Sequence, residues 1–225
     1  MNRSALWLLW AGFILYVVFL APPLHLEATI KLLVSILTLQ WTQVNPVILS
    51  LFSFVGIWLF IYSSLLFFDG RMQSIRFYPF AIASVASGVI GLIPYLALRE
   101  SNQSFTGEKD KFLNFLDSRF FAYSLTVTTL GLFLYAFIFG NWDDFINQFI
   151  HDKFIHGMSL AFCLFYLLFP TSILDDDIAR RNWNKEQMGQ LYLFIALAPL
   201  FGPLAYLCLR PSLYPTIAAS QHYEL

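Results

Sequence analysis

Three consecutive aspartates, Asp175, Asp176 and Asp177, are followed by Arg180 and Arg181 to form the densest group of titratable side chains in the sequence. Neighbouring carboxylates suit a hard cation, and Mg2+ bridges such oxygens to the phosphates of a substrate. An enzyme of that kind needs a second acidic cluster on the same face. The remaining close pair, Asp143 and Asp144, falls on the opposite side of the membrane in the topology that the cations favour. The aspartates are therefore expected to pair with Arg180, Arg181 or the loop 99–120 at a hydrated helix end. No metal is assigned to them.

Four histidines raise haem or metal ligation, because imidazole is a common ligand for both. His25 and His156 lie near helix ends on opposite sides of a six-span arrangement, and His222 lies in the tail. His151 and His156 are five residues apart, about 500° around a helix, and do not share a face. Both cysteines, Cys163 and Cys208, sit in apolar runs without a C-x-x-C or Cys/His cluster. Their depths on antiparallel helices would differ by roughly 9 Å, too much for a disulfide, so both read as buried hydrophobes. No G-x-S-x-G, H-E-x-x-H, P-loop or G-x-G-x-x-G occurs, which leaves nucleophilic, zinc-protease and nucleotide chemistry without an anchor. No cofactor is assigned.

The elements that must position these groups are membrane helices. The chain of 225 residues is 58% hydrophobic, 19% aromatic and only 12% charged, with mean hydropathy +0.65. Those values lie far from the soluble average. A formal net charge of -1 offers no basic footprint for nucleic acid. About 20 apolar residues are needed to cross a bilayer, and six runs qualify: 5–21, 48–68, 79–98, 121–139, 154–174 and 191–209. The fold class is an all-α polytopic transmembrane bundle in one integral membrane domain. The first run resembles a signal peptide but lacks a small residue at the cleavage position, since Phe19 stands there, and is kept as a span.

The stretch 24–41 carries His25, Glu27 and Lys31. Glu27 and Lys31 can pair on one helix face opposite Ile30, Leu33, Ile36 and Leu37, so an interfacial amphipathic helix is expected, the alternative being a seventh span that would move the N-terminus to the other side. A second interfacial segment follows Gly140, with Trp142, Phe145, Phe149 and Ile150 against Asp143, Asp144 and Asp152. Lysines and arginines favour the cytoplasmic side for loops 99–120 and 175–190. The run 79–98 places Ala83, Ser87 and Gly91 in one small-residue row and Ser84 with Gly88 in another, which predicts the most buried helix of the bundle, kinked by Pro94. Pro199 to Pro203 breaks the last run, as a packed kink or a transporter-like broken helix. No internal repeat is evident, and the spans lack the buried carboxylates of proton-coupled pumps.

The blocks NPVILSLFSFVGIWLFIYSSLLFFDGR, LIPYLALRE, LDSRF, GNWDDF, FIHGMSLAFCL, DDDIARR and PLFGPLAYLCLRP occur in this order from about Asn45 to Pro211. Together they resemble a family of polytopic membrane proteins from cyanobacteria, with plastid relatives in algae and plants, to which no reaction is assigned. The resemblance implies a photosynthetic organism and a thylakoid or plasma membrane. It also implies a role in building or maintaining pigment–protein complexes, and carries over no functional residues. The expectation is a non-enzymatic assembly or accessory factor. Its partner or interloop contacts would come from Asp175, Asp176, Asp177, Arg180, Arg181, Arg99, Glu100, Asp117 and Arg119. The alternatives are a membrane enzyme acting on a lipid or isoprenoid, and a small-solute transporter.

Overall fold

The computed structural model describes residues 1–106 and 108–213, and among these all regular structure is helical. Four helices are long and apolar enough to cross a membrane. The first, α1, spans Arg3–Leu15 and continues through a π-helical turn at Tyr16–Leu20. After the short α2 (Leu26–Leu37) comes α3 (Pro46–Asp69), whose 24 residues extend about 36 Å. Asn45 caps it by accepting from the Val47 amide, and Pro46 occupies its first turn, where no backbone donor is needed.

Next are α4 (Tyr78–Ser87), α5 (Val89–Leu98), a single turn and a half in α6 (Lys111–Leu116), and the second long pair partner α7 (Arg119–Phe139). The chain then forms α8 (Trp142–His151), α9 (Lys153–Ser172), α10 (Leu174–Arg180), α11 (Lys185–Met188), α12 (Gln190–Leu197) and α13 (Phe201–Leu209).

Two of the six expected spans do not cross. The run 79–98 reverses at Gly88, whose φ of 59° is a left-handed value that costs glycine nothing. Arms α4 and α5 then lie side by side, so that Phe77 and Phe80 both reach the Tyr95 ring. The small residues serve this contact rather than a neighbouring span. A Cβ on Gly91 would stand 2.4 Å from the Ser84 nitrogen and 2.5 Å from the Ala83 carbonyl carbon. The first arm is correspondingly exposed at Ile82 and Val85 and only the second is buried, which corrects the expectation of one deeply buried helix.

The run 191–209 does the same at Leu200, φ 61°. A Cβ on Gly202 would lie 2.5 Å from the Ile195 carbonyl oxygen, which identifies close-packed arms rather than a kink. Both hairpins turn near half-depth. Ile90 accepts from the Trp10 indole, the Tyr166 hydroxyl donates to Leu197, and Phe201 meets Phe133 edge-on.

These reversals change the topology. Starts and ends of both hairpins, the end of α3, the end of α9 and the amino terminus share one end of the bundle, here called the near end. There Arg3 donates to the Leu98 carbonyl, and Gln73 and Glu100 exchange two hydrogen bonds. The loop after Asp69, expected on the opposite side from loop 99–120, is therefore beside it. The far end holds α2 and α8. Its hydrogen bonds run from Asn45 to Asn141 and Asp144, and from Lys153 to Val18. Helix α2 is about 18 Å long, too short to cross, and leaves Glu27 and Lys31 exposed.

The centre is dry. Helices α3 and α9 pack through Trp58, Tyr62, Phe165 and Phe169, all fully buried, with Trp58 stacked on Phe165 and the Tyr62 hydroxyl donating to the Phe165 carbonyl at 2.8 Å. Aromatic pairs of this geometry add about 0.5–1.5 kcal/mol each beyond their burial. Cys163 faces outward and Cys208 is half-buried, so neither is the core residue expected.

Candidate functional site

Each long helix that runs toward the near end leads into a carboxylate, and each hairpin ends in an arginine. Asp69 closes α3. The α9 helix breaks at Ile173, and α10 begins with the three aspartates in its first turn, where the helix dipole favours negative charge. A seven-residue helix fans these side chains apart: Asp175 points out, while Asp176 and Asp177 point in. From the hairpins, α5 presents Tyr95 and, one turn on, Arg99, and α13 presents Tyr206 and Arg210.

The resulting polar cluster is buried. Asp69, fully enclosed, accepts from the Tyr95 hydroxyl at 2.8 Å, from Arg99 Nε and Nη2 at 2.9 and 2.7 Å, and from Arg180 Nη2 at 2.9 Å. Asp177 accepts from the Tyr206 hydroxyl at 2.6 Å and from Arg181 Nε at 2.8 Å, with Arg210 Nη1 at 3.5 Å. Arg99 also bridges to Asp176 at 2.6 Å, and Ser101 donates to the same carboxylate at 2.6 Å. Asp117, from the turn before α7, accepts from Arg181 and from Lys109 at 2.8 and 2.9 Å. The Arg210 guanidinium completes the ring by donating to the Ser64 and Leu116 carbonyls.

The cluster has a repeat built into it. Residues 91–99, GLIPYLALR, and residues 202–210, GPLAYLCLR, align at one constant spacing, matching Gly91 with Gly202, Tyr95 with Tyr206 and Arg99 with Arg210. In each copy the glycine packs the hairpin arms, and the tyrosine and arginine meet a buried aspartate, Asp69 at the end of α3 in one and Asp177 in α10, just beyond α9, in the other. Two modules result, Asp69–Tyr95–Arg99 and Asp177–Tyr206–Arg210. Arg99 to Asp176 and Arg180 to Asp69 tie one to the other. The larger pattern agrees: a long helix, an interfacial helix, a second long helix and a hairpin occur as α1 to α5 and again as α7 to α13. The sequence reading, which found no repeat, is corrected on this point.

Electrostatics favour the charged forms of Asp117, Asp177 and Arg99. Burial alone would raise the Asp177 carboxyl, but Arg181, Arg210 and Arg180 outweigh it and hold it well below the usual carboxylate range. Asp117 is depressed by the same balance, with Arg181 and Arg210 opposing its desolvation. Burial would lower Arg99, yet Asp69 and Asp176 hold it above the ordinary arginine value. Arg210 goes the other way, pushed down to about 10 by burial and by the neighbouring Arg181. Four aspartates face four arginines, with Lys109 at the edge. Among the described residues Asp177 Oδ1 and Arg180 Nη1 have no hydrogen-bond partner, and they stand 3.6 Å apart.

Of the candidate residues, Asp176, Asp177, Arg180, Arg181, Arg99 and Asp117 meet here. Asp175 is exposed and pairs with Lys185 at 2.6 Å and Tyr192 at 3.0 Å. Arg119 lies apart, donating to the Leu207, Cys208 and Leu209 carbonyls at the end of α13, where a cation complements the helix dipole. Glu100 is engaged through its backbone with Gln73. Asp69, Arg210, Tyr95 and Tyr206 were missed. The one available signal was the recurrence of Tyr-Leu-x-Leu-Arg at the end of two apolar runs.

Arginines occupy the carboxylates that a cation would need, and among the described residues no group of three or more His, Cys, Asp or Glu side chains is placed to hold a metal. Asp143 and Asp144 lie at the far end. So do His25, which meets Asp152 at 3.2 Å, and His156, which sits between Tyr16 and Phe149 with both ring nitrogens engaged. His25 and His156 thus share an end, contrary to the six-span expectation. His222 lies outside the described residues. The chain matches no family model, no curated protein and no solved structure.

Proposed function

We propose that the protein is a non-enzymatic scaffold, an assembly or accessory factor for a pigment–protein complex of a photosynthetic membrane. One observation carries the scaffold reading: the strongest concentration of ionisable groups is spent on itself, as four aspartates and four arginines that lock two hairpins together. Asp176, Asp177, Arg180 and Arg181 are thereby committed to internal contacts, so partner contacts fall to exposed groups and to the outer face of α7. The photosynthetic setting rests on the sequence resemblance. Cation asymmetry supports a cytoplasmic or stromal near end, because of thirteen lysines and arginines all but Lys31 and Lys153 are there.

The test is gentle-detergent capture of the tagged protein from its native membranes, read by mass spectrometry and by absorbance. Photosystem subunits or chlorophyll in the eluate is the expected result. A colourless eluate holding this chain alone would overturn the proposal.

A second reading, a small-solute transporter, is favoured by the matching reversals in two repeated halves, a pattern that marks substrate sites in transporters. The buried α3–α9 contact would have to open for it to work. Uptake into proteoliposomes that Gly202→Leu abolishes would support it.

A further inference from the structure

We infer that the protein holds one anionic glycerolipid at the near end, in a cleft between α3, α4, α6 and α7 that lies apart from the charge network. Two cavities adjoin there. One, of about 350 Å³, is rimmed by Arg71, Gln73 and Arg76. The other, of about 310 Å³, is walled by apolar side chains from Leu59 to Phe67 on α3 and from Tyr78 to Val85 on α4. They share Phe67, Phe77, Tyr78 and Phe112, and the Phe67 ring packs edge-on against the other three with centroids 5.0 Å apart, so the polar chamber lies directly beside the apolar one across this aromatic cluster.

The dimensions and charges suit a lipid rather than a soluble ion. Along α3 the apolar wall covers about 12 Å, most of the roughly 15 Å that one leaflet's hydrocarbon occupies. The polar chamber sits at the level where α3 ends and α4 begins, which is headgroup depth. Arg71 and Arg76 are both exposed to it. Arg71 shares its charge with Asp110, but Arg76 has no ion-pair partner among the described residues. An arginine guanidinium binds phosphate or sulfate oxygens in a fork. One acyl chain would fill the apolar chamber between Ser63 and Ala81 while the anionic headgroup lies against Arg76. A zwitterionic lipid would bring no net charge for the two arginines to hold. A soluble phosphate would leave the apolar chamber empty.

The test is native mass spectrometry of the purified full chain after incubation with phosphatidylglycerol or phosphatidylcholine. The expected result is one retained phosphatidylglycerol and no retained phosphatidylcholine. Arg76→Glu, which breaks no internal ion pair, should lower that occupancy about ten-fold, as loss of a surface cation and gain of repulsion require. Ala81→Trp, which fills the apolar chamber without touching charge, should lower it as well, with thermal stability confirming that both variants fold. Equal retention of the two lipids, or unchanged occupancy in folded Arg76→Glu, would overturn the inference. Displacement of the lipid by glycerol phosphate, or binding indifferent to Ala81→Trp, would overturn it in favour of a soluble anion.

Discussion

Arg180 Nη2 stands 2.9 Å from Asp69 Oδ1, although 111 residues separate them and neither side chain is exposed. The contact joins the end of one repeat's long helix to the extension of the other's. Removing one partner of a buried ion pair strands the rest, at a cost of about 3–5 kcal/mol. Asp69→Ala, which removes one acceptor from each of Tyr95, Arg99 and Arg180, is expected to show a loss of that size in thermal unfolding in mild detergent. Asp69→Asn should lose less, because the amide oxygen still accepts. A near-wild-type Asp69→Ala would mean that the network contributes little to the fold.

Charge reversal at Arg180 and Arg181 follows from the same geometry. Both guanidiniums are enclosed and face Asp177, so Arg180→Glu with Arg181→Glu would add carboxylates to a buried acidic set. The expected outcome is little folded protein in the membrane, measured by immunoblot and size-exclusion profile. A well-folded double variant would place these arginines at the surface instead.

Labelling from one side of the membrane distinguishes hairpins from spans. Ser74 and Gln103 are exposed and flank the first hairpin. Placed singly in a chain with Cys163 and Cys208 changed to alanine, Ser74→Cys and Gln103→Cys are expected to react with an impermeant maleimide from the same side. A spanning 79–98 helix would expose them on opposite sides.

The glycines at the hairpin contacts should be intolerant and others should not. Gly91→Ala sets a Cβ against the Ser84 backbone and Gly202→Ala sets one against Ile195, which backbone atoms cannot evade by a rotamer change. A loss of about 1–3 kcal/mol is expected for each in thermal unfolding, the range for overpacking. Gly56, with nothing within 4 Å of an added Cβ, supplies the control, and Gly56→Ala should stabilise α3 by about 0.5–1 kcal/mol.

Acid should loosen the near end. Asp117 and Asp177 both titrate lower in the folded protein than a free aspartate does. Protons therefore bind the unfolded chain first as pH falls. The stability these groups supply is complete above about 4, the value for free aspartate, and is lost progressively below it. Unfolding temperature is expected to be level near neutrality and to drop below about pH 4, with a smaller acid drop in Asp177→Asn. An equal drop in that variant would assign the acid response to other carboxylates.

Composition and local pattern were enough to dictate helices long and apolar enough to cross a membrane. The uncharged, mostly apolar residues between Asn45 and Asp69 admit little else, because lipid offers no partner to an open backbone. The polar face of Glu27 and Lys31 likewise marked 24–41 as a segment too amphipathic to read as an ordinary span. Hydropathy, however, averages over a window and cannot see direction. Twenty apolar residues that reverse at Gly88 score the same as twenty that cross. The reversal depends on backbone atoms of Ser84 and Ala83 meeting Gly91, and on Ile195 meeting Gly202, contacts made only when the arms fold back. Asp69 and Arg210 read as solvated loop residues for the same reason. Their neighbours in sequence are apolar, and their partners lie from 26 to 146 residues away. Tertiary structure alone places those partners at one end of the bundle, where burial makes pairing obligatory.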